Sequence, residues 1–478
     1  MNYKTIFYTL GLVVGFEGIA MLLPLICALC YGEKEWYTFL LSIIICFIFA
    51  LIFTFKKPQK KSIYAKEGFV IVSLSWILLS IFGTLPFMLS GVIKEFVPAL
   101  FEIVSGFTTT GASILTDIEW IPKSILFWRS FSHWIGGMGV LVLLVAILPM
   151  SGGSNVYLLK AESTGPSVSK LVPKVKSSTT ILYLIYIGMT IIEIVLLLFS
   201  GLSLFEALTL SFGTAGTGGF GIVNSSAADY SSTVQWIITV FMILFGVDFS
   251  IYYLILIKKF KAAFKSDEVR AYFGIILSAI ALITINCYHM FDNIFDAIKH
   301  VSFQVGSIIT TTGYSTVNFD LWPEFSKTIL LLLMIVGACA GSTGGGVKVS
   351  RILILLKTVV KEVKVSAHPK ISHKTMLNGR TVEHETLRAV NVYMVSYVAI
   401  FLCSVLLVSL NGLDFTTTVT SVVATLNNIG PGFNLVGPMG NFSCFNDFSL
   451  VVLIFNMLAG RLEIFPLLIL FSKYTWKK

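Results

Sequence analysis

The chain has 478 residues, of which 56% are hydrophobic and only 12% are charged, and its mean hydropathy is +0.87. This composition excludes a soluble globular domain and predicts a polytopic membrane protein. The net charge of +9 does not indicate a nucleic-acid partner, because attraction to the anionic headgroups of a lipid bilayer is sufficient to explain a basic protein.

The first predicted element is a transmembrane hairpin of two helices, which forms an N-terminal unit over residues 1–60. Its first apolar segment, residues 5–30, is too long for the apolar region of a signal peptide and lacks a small-residue cleavage site. We therefore expect it to remain as a membrane helix.

Four further units follow the hairpin, and each predicts a long helix, a short helix, a polar Thr/Gly loop and a second long helix. The long apolar runs approach or exceed the ~20 residues that a spanning helix needs. The loops recur at separations of roughly 100 residues, which is typical of an internal repeat. The units are assigned to residues 61–155, 156–268, 269–378 and 379–478. The predicted fold is an all-α polytopic membrane protein with four pseudo-repeated helix, pore-loop and helix units around one ion pathway.

The short helices are too short to cross a bilayer, so they are expected to enter it and turn back. They are predicted at residues 99–108, 204–214, 293–309 and 414–426. An acidic residue is expected near the start of each, namely Glu102, Glu206, Asp296 and Asp414. The negative ends of the four helix dipoles would then face the loops and attract a cation.

The four loops carry the candidate ion-binding residues. Backbone carbonyls and threonine hydroxyls supply oxygen ligands, and such oxygens can replace the hydration shell of a hard monovalent cation. The loops contain no carboxylate, which makes a divalent site less favourable. One such segment alone is typical of a turn or of close helix packing, but four comparable segments favour a selectivity filter. The filter residues are Thr109, Thr110, Gly111, Thr217, Gly218, Gly219, Thr311, Thr312, Gly313, Asn428, Ile429 and Gly430.

A glycine-rich run interrupts the second long helix of the third unit. Each glycine weakens a helix interior by ~1 kcal/mol relative to alanine, so the helix is predicted to unwind there as a gate. The alternative is close helix packing through Gly337-x-x-x-Gly341. A phosphate-binding loop is disfavoured, because Val347 separates the last glycine from Lys348 and no strand precedes the run. The predicted gate residues are Gly341, Ser342, Thr343, Gly344, Gly345, Gly346 and Lys348, with Arg461 from the fourth unit.

Several charged residues, Arg461 and Asp248 among them, lie within apolar runs, where a charge is costly unless it is paired. Arg461 is predicted to bind carbonyls of the gate segment and to form an electrostatic barrier, the alternative being an ion pair with Glu463. Asp248 lies in the run 234–257, which predicts one continuous spanning helix. It could pair with Arg461 or Lys348, tune cation occupancy, or be an interfacial acid.

The basic residues predict the orientation of the chain. Alternating the loops places 27 of the 34 lysines and arginines on one side, most of them in residues 56–66, 160–176, 258–270 and 348–388. By the positive-inside rule this side is cytoplasmic, and both termini lie on it.

Several short motifs together resemble the Trk/Ktr/HKT superfamily of K⁺ transporters. They are the loop segments 109–112, 311–314 and 428–431, and the segments FWRS at 127–130, HWIGGMG at 133–139, GST at 341–343, KVSR at 348–351 and GRLEI at 460–464. The N-terminal hairpin makes the chain more similar to the bacterial Trk-type membrane subunit than to the shorter Ktr type.

The resemblance implies K⁺ uptake across the bacterial cytoplasmic (inner) membrane by a protein that is not an enzyme. It also implies a homodimer and a cytoplasmic nucleotide-binding regulatory subunit of the TrkA kind, so any nucleotide is expected on that partner only. Each loop has only one central glycine, which predicts that the filter prefers K⁺ over Na⁺ only moderately. Passive conduction, coupling to Na⁺ as in a Ktr-like transporter, coupling to H⁺, and secondary transport of another solute remain open from the sequence.

Overall fold

The computed structural model describes residues 1–58, 65–139, 175–368 and 374–476. Within these ranges every regular element is a helix apart from one short antiparallel strand pair, Met376–Leu377 with Arg380–Thr381. Six of the described helical segments are long and apolar enough to cross a membrane, and a bent helix pair makes a seventh. The prediction of an all-α polytopic membrane protein is therefore confirmed. The end of the predicted first unit and the basic stretch 160–174 lie outside the described residues.

The N-terminal hairpin consists of two antiparallel arms. The first arm is slightly interrupted and comprises Tyr3–Ala20 and Leu22–Tyr31, and the second is Trp36–Thr54. Close approach of the arms depends on small residues, since a Cβ at Gly11 would come within 2.8 Å of the Phe53 side chain.

The helices of the four later units follow the predicted order. The first long helices are Ala65–Gly83 with Leu85–Ser90, Val175–Phe199, Asp267–Cys287 and His384–Val408. The short helices, numbered 1 to 4 below, are Phe96–Phe107, Leu204–Gly216, Ile294–Ile309 and Phe415–Leu426. The second long helices begin with Lys123–Gly137, Ser232–Phe245, Glu324–Val336 and Asp447–Arg461.

Three of the short helices carry the predicted acidic residue at or near their start, namely Glu206, Asp296 and Asp414. Ser203 and Glu206 form a reciprocal capping box at short helix 2. Asn293 caps short helix 3 and accepts a hydrogen bond from the Asp296 amide, and Asp414 caps short helix 4. These caps satisfy amides that a helix start would otherwise leave unpaired.

The prediction for Glu102 is wrong. Short helix 1 begins at Phe96, so Glu102 lies in its interior, fully buried, and not near its start. Burial of a carboxylate requires strong partners, and Glu102 has one in the buried guanidinium of Arg129.

The second long helices are interrupted at more places than the sequence predicts. The run 234–257 is not one straight helix, because Ser232–Phe245 and Phe249–Leu256 meet at 92°. In the third unit residues 337–348 separate Glu324–Val336 from Val349–Ala367, as predicted. In the fourth unit Asp447–Arg461 ends before Phe465–Phe471, with Glu463 and Ile464 at positive φ.

Candidate functional site

The four predicted filter segments adopt the same backbone turn at the ends of the four short helices. We call residues 109–111, 217–219, 311–313 and 428–430 loops 1 to 4. The first residue of each loop is left-handed, with φ between 55° and 60°, and the glycine that ends it has φ between 74° and 97°. The middle residue donates its amide hydrogen to the carbonyl five residues earlier, which is the hydrogen bond of a Schellman helix end. These bonds are Thr110 to Ser105, Gly218 to Gly213 and Thr312 to Ser307, each 2.8 Å, and Ile429 to Ala424, 2.9 Å.

The loops close into a ring around a single axis. A Cβ built on the terminal glycine of each loop would meet the backbone carbonyl oxygen of the middle residue in the next loop. The pairs are Gly111 with Gly218, Gly219 with Thr312, Gly313 with Ile429 and Gly430 with Thr110. The order 1, 2, 3, 4 and back to 1 makes a closed circuit. All twelve predicted filter residues are therefore brought together, and this arrangement is called the four-loop ring below.

A cavity of about 280 Å³ opens above the four-loop ring. All four terminal glycines line it, together with Arg129. The segments that follow loops 1 and 2 meet at its rim, where the Asn224 side-chain amide donates to Asp117 at 2.9 Å. That hydrogen bond holds the pKa of Asp117 below its usual range.

A buried ion pair supports the segments that follow loops 1 and 2. Arg129 Nε and Glu102 Oε1 are 2.5 Å apart, and both side chains are almost completely buried. Glu102 also accepts hydrogen bonds from Ser113 Oγ and the Ile114 amide, both at 3.0 Å. Arg129 Nη1 donates to the Gly221 carbonyl at 2.9 Å. Glu102 was not recognised as a supporting residue from the sequence, because its position resembles that of an acid near a helix start.

We expect Glu102→Gln to destabilise the protein by about 3 kcal/mol or more, because removing one partner leaves a buried charge uncompensated. Denaturant unfolding of the purified protein in detergent measures this loss. Glu324→Gln is the matched control, since it breaks an exposed ion pair with Lys327 and should cause no measurable change. A double variant, Glu102→Gln with Arg129→Gln, should recover part of the loss; equal loss in the single and double variants would contradict this account.

The predicted gate residues lie directly beneath loops 3 and 4. We call residues 337–348 the glycine-rich segment. The Gly345 amide donates to Thr311 Oγ1 at 2.6 Å, and the Gly346 amide donates to the Asn427 carbonyl at 3.0 Å. Cβ atoms at Gly344 and Gly345 would collide with the carbonyls of Thr310 and Asn427. The glycines therefore allow the segment to touch the ring from below.

The remaining predicted gate residues form hydrogen bonds that stabilise the conformation of the glycine-rich segment. Thr343 Oγ1 donates to the Phe245 carbonyl at 3.2 Å, and Ser342 Oγ donates to the Cys339 carbonyl at 2.6 Å. Lys348 is buried, and its ammonium group donates back to the Gly344 carbonyl. The Gly341 carbonyl accepts from the Phe249 amide at 3.1 Å, across the bend in the second unit.

Glu268 is a further residue at this site that the sequence analysis missed. Its Oε1 atom accepts hydrogen bonds from the Ala340 amide at 2.7 Å and the Ser350 amide at 3.1 Å. One carboxylate oxygen thus joins the glycine-rich segment, at Ala340, and the first turn of the helix Val349–Ala367, at Ser350, to the helix Asp267–Cys287. In the sequence, an acid in the first turn of a helix is explained by the helix dipole alone, so nothing distinguished Glu268.

Arg461 lies between the four-loop ring and the glycine-rich segment. Its guanidinium donates to the Thr343 carbonyl at 3.0 Å, to the carbonyls of Gly136 and Gly137, and to Thr109 Oγ1 at 3.4 Å. The predicted contact with the gate segment is present. The alternative partner Glu463 instead forms an ion pair with Arg351, whose guanidinium also packs 4.0 Å from the Tyr393 ring.

Asp248 has a different partner from the charged ones considered in the sequence. It caps the helix Phe249–Leu256, and its Oδ1 accepts from the Ser250 amide at 2.8 Å. Neither Arg461 nor Lys348 forms an ion pair with Asp248 within the described ranges. The carboxylate also packs against Gly341, so its position in the 92° bend places it beside the glycine-rich segment.

Comparison with known proteins gives consistent matches along the full chain. The family model TrkH, described as a cation transport protein, matches residues 36–477. The chain is 35% identical over 487 aligned residues to the Trk system potassium uptake protein TrkH of Salmonella typhimurium, and 34% identical to that of Escherichia coli K12. Both alignments cover 100% of this chain and 100% of the relative.

The fold is also similar to a solved structure. The crystal structure of the potassium transporter TrkH from Vibrio parahaemolyticus superposes with a TM-score of 0.90 at 31% sequence identity. The superposition covers 100% of both chains. The similarity therefore includes the N-terminal hairpin and all four units.

Proposed function

Because the chain belongs to the TrkH family of cation transport proteins, we propose that it takes up K⁺ across the cytoplasmic membrane of a bacterium, with the four-loop ring as its selectivity filter. The closed circuit of glycine and carbonyl contacts is the observation that carries the proposal. A ring of backbone carbonyls and hydroxyls can replace the water around a monovalent cation as it passes. The three residues of each loop, 109–111, 217–219, 311–313 and 428–430, are the proposed K⁺ ligands.

The glycine-rich segment is the proposed gate. It lies against loops 3 and 4 and is held by backbone hydrogen bonds and by Glu268, so a shift of the segment would change the space directly below the filter. Arg461 adds a positive charge at the same level. Conduction then requires the segment to move away from the ring. The closed and open arrangements of the segment are in equilibrium, and a regulator that binds one of them more tightly shifts that equilibrium.

The side of the membrane follows from charge in this proposal. The side that carries most of the lysines and arginines faces the cytoplasm, together with both termini. The cavity above the four-loop ring then faces the external solution. The family resemblance further supports a homodimer with one pathway in each protomer. The regulator is proposed to be a cytoplasmic nucleotide-binding subunit of the TrkA kind, which fits the name "Trk system" of the relatives.

Growth of a bacterium that lacks its own K⁺ uptake systems tests the proposed function. Expression of this chain, together with a Trk-type regulatory subunit, should restore growth at low external K⁺, and the empty vector should not. Absence of rescue by a protein that reaches the membrane would overturn the proposal.

Flux through purified protein in liposomes separates the possible transport modes. Gradients of K⁺, Na⁺ and H⁺ are imposed one at a time, and the reversal potential is measured. A potential that follows K⁺ alone indicates passive conduction through the ring. A requirement for a Na⁺ or H⁺ gradient indicates coupled uptake, and transport of neither K⁺ nor Rb⁺ would contradict the filter assignment.

A further inference from the structure

His133 lies directly behind loop 2 and bridges two parts of the ring structure. It is completely buried on the helix Lys123–Gly137. Its Nδ1 atom is 2.7 Å from the Gly106 carbonyl oxygen of short helix 1. Its Nε2 atom accepts a hydrogen bond from the Phe220 amide at 3.3 Å, immediately after loop 2.

These two contacts determine the protonation of the imidazole. A carbonyl oxygen can only accept and a backbone amide can only donate, so Nδ1 carries the hydrogen and Nε2 carries a free lone pair. The ring is therefore the neutral Nδ1–H tautomer, set by its two hydrogen-bond partners. A charged imidazolium would have no acceptor to offer the Phe220 amide.

The hydrogen bond to Phe220 also sets the direction of the Gly219 carbonyl. The Phe220 N–H and the Gly219 C=O belong to the same planar, trans peptide group, so they point in opposite directions. Because the N–H points at the imidazole, the C=O points away from the helix behind the loop. The Gly219 residue itself lines the cavity above the ring. One side chain thus orients a carbonyl that belongs to the proposed filter.

The imidazole further explains why loop 2 lacks the threonine of loops 1 and 3. In those loops the middle threonine bonds to a threonine at the end of the short helix, with the Thr108–Thr110 and Thr310–Thr312 hydroxyl pairs each 2.8 Å apart. In loop 2 both positions are glycine. A Cβ at Gly218 would overlap the His133 ring, and a Cβ at Gly216 would overlap the His133 carbonyl.

We propose that His133 is a positioning residue for cation selectivity, which fixes loop 2 in place of the missing threonine pair and aims the Gly219 carbonyl at the ion. The inference rests on the proposed function of the four-loop ring as a filter. Its own content is that the Nε2 acceptor, and not merely the volume of the ring, determines selectivity. The ring also packs against Phe220, with ring centroids 4.2 Å apart, so volume and hydrogen bonding must be separated by experiment.

Three His133 variants of the full-length protein separate these contributions in liposomes. Glutamine can place an amide oxygen near the position of Nε2, whereas asparagine is too short and alanine has no acceptor. The measured quantity is the K⁺/Na⁺ permeability ratio from the reversal potential under opposed K⁺ and Na⁺ gradients. His133→Ala and His133→Asn should lower this ratio by about tenfold, since an unsatisfied buried amide changes an equilibrium by roughly that factor. His133→Gln should stay within about twofold of the unmodified protein, because the acceptor is retained.

The neighbouring residue on the same helix gives the matched control. Trp134→Phe removes one hydrogen bond, from Nε1 to Thr190 Oγ1 at 3.3 Å, without touching loop 2. It should leave the permeability ratio unchanged. If His133→Ala does not purify as a folded protein, the comparison of His133→Gln with His133→Asn decides, because both keep a polar side chain in the site.

A second test uses the contact between His133 and Gly218. Gly218→Ala should lower the permeability ratio in the unmodified background because its methyl group displaces the imidazole. The same substitution should have a much smaller effect when His133 is already alanine. Equal effects in both backgrounds, or an unchanged ratio in His133→Ala and His133→Asn, would overturn the inference. Selective K⁺ flux through the unmodified protein in the same experiment would leave the proposed function standing, whereas its absence would overturn the proposed function itself.

Discussion

Gly219→Ala is expected to impair K⁺-selective flux severely. Gly219 has φ of 74°, and a Cβ at this position would overlap the Thr312 carbonyl oxygen of loop 3. The left-handed conformation costs alanine about 1–2 kcal/mol, and the overlap forces two loops apart in addition. Since each 1.4 kcal/mol is a factor of ten, we expect the K⁺ flux or the K⁺/Na⁺ permeability ratio to fall by at least about tenfold. Liposome flux with purified protein measures both quantities.

Gly201→Ala is the control that separates backbone strain from ring closure. Gly201 has φ of 91°, in the turn before short helix 2, and no atom lies within 4 Å of its added Cβ. It therefore carries comparable conformational strain without the overlap, and its K⁺ selectivity should be preserved. If Gly219→Ala and Gly201→Ala gave the same permeability ratio, the four-loop ring would not be the selective element.

The positions of the loops could be predicted from the sequence because the signal is repeated. Short helices 2 to 4 begin within about one residue of their predicted starts, and Glu206, Asp296 and Asp414 lie at or near those starts as predicted. The break at 337–348 was equally visible, because clustered glycines weaken a helix whatever surrounds them. Both kinds of signal are local, and a local signal needs no knowledge of what packs nearby.

The supporting residues could not be predicted, because their roles depend on contacts between distant segments. Glu102 pairs with Arg129 across 27 positions, and Glu268 reaches amides 72 and 82 positions away. The bend at residues 246–248 also depends on a distant contact, since the Phe249 amide bonds to the Gly341 carbonyl. An apolar run such as 234–257 predicts that a segment is apolar and long enough to cross a membrane. It does not predict where contact with a distant segment interrupts the helix.

The same distinction explains the departures of the loops from exact repetition. Asn428 replaces the first threonine of the other loops, and its side-chain amide donates to Thr110 Oγ1 and to the Met457 carbonyl, both at 2.9 Å. The substitution therefore ties loop 4 to loop 1 and to the helix behind it. In the sequence it was only a deviation from the pattern, whereas in the structure it closes the ring.

Arg461→Gln is expected to raise K⁺ flux in the absence of any regulatory subunit. The guanidinium contacts both Thr109 of loop 1 and the Thr343 carbonyl of the glycine-rich segment, so its charge lies directly below the ring, on the proposed ion path. A unit charge roughly 8 Å from a cation, at an effective dielectric constant of about 20, opposes it by about 2 kcal/mol. Removing that charge should raise tracer Rb⁺ or K⁺ flux into liposomes by about tenfold or more.

Arg461→Lys distinguishes the charge from the hydrogen bonds. Lysine keeps a positive charge but cannot reproduce a guanidinium fork that joins Thr343 to the carbonyls of Gly136 and Gly137. If the barrier is electrostatic, flux through Arg461→Lys should stay near that of the unmodified protein. If the hydrogen bonds hold the segment closed, Arg461→Lys should conduct nearly as well as Arg461→Gln. Unchanged flux in a folded Arg461→Gln protein would contradict both forms of the gate, because neither the charge nor the bonded segment would then limit the ion.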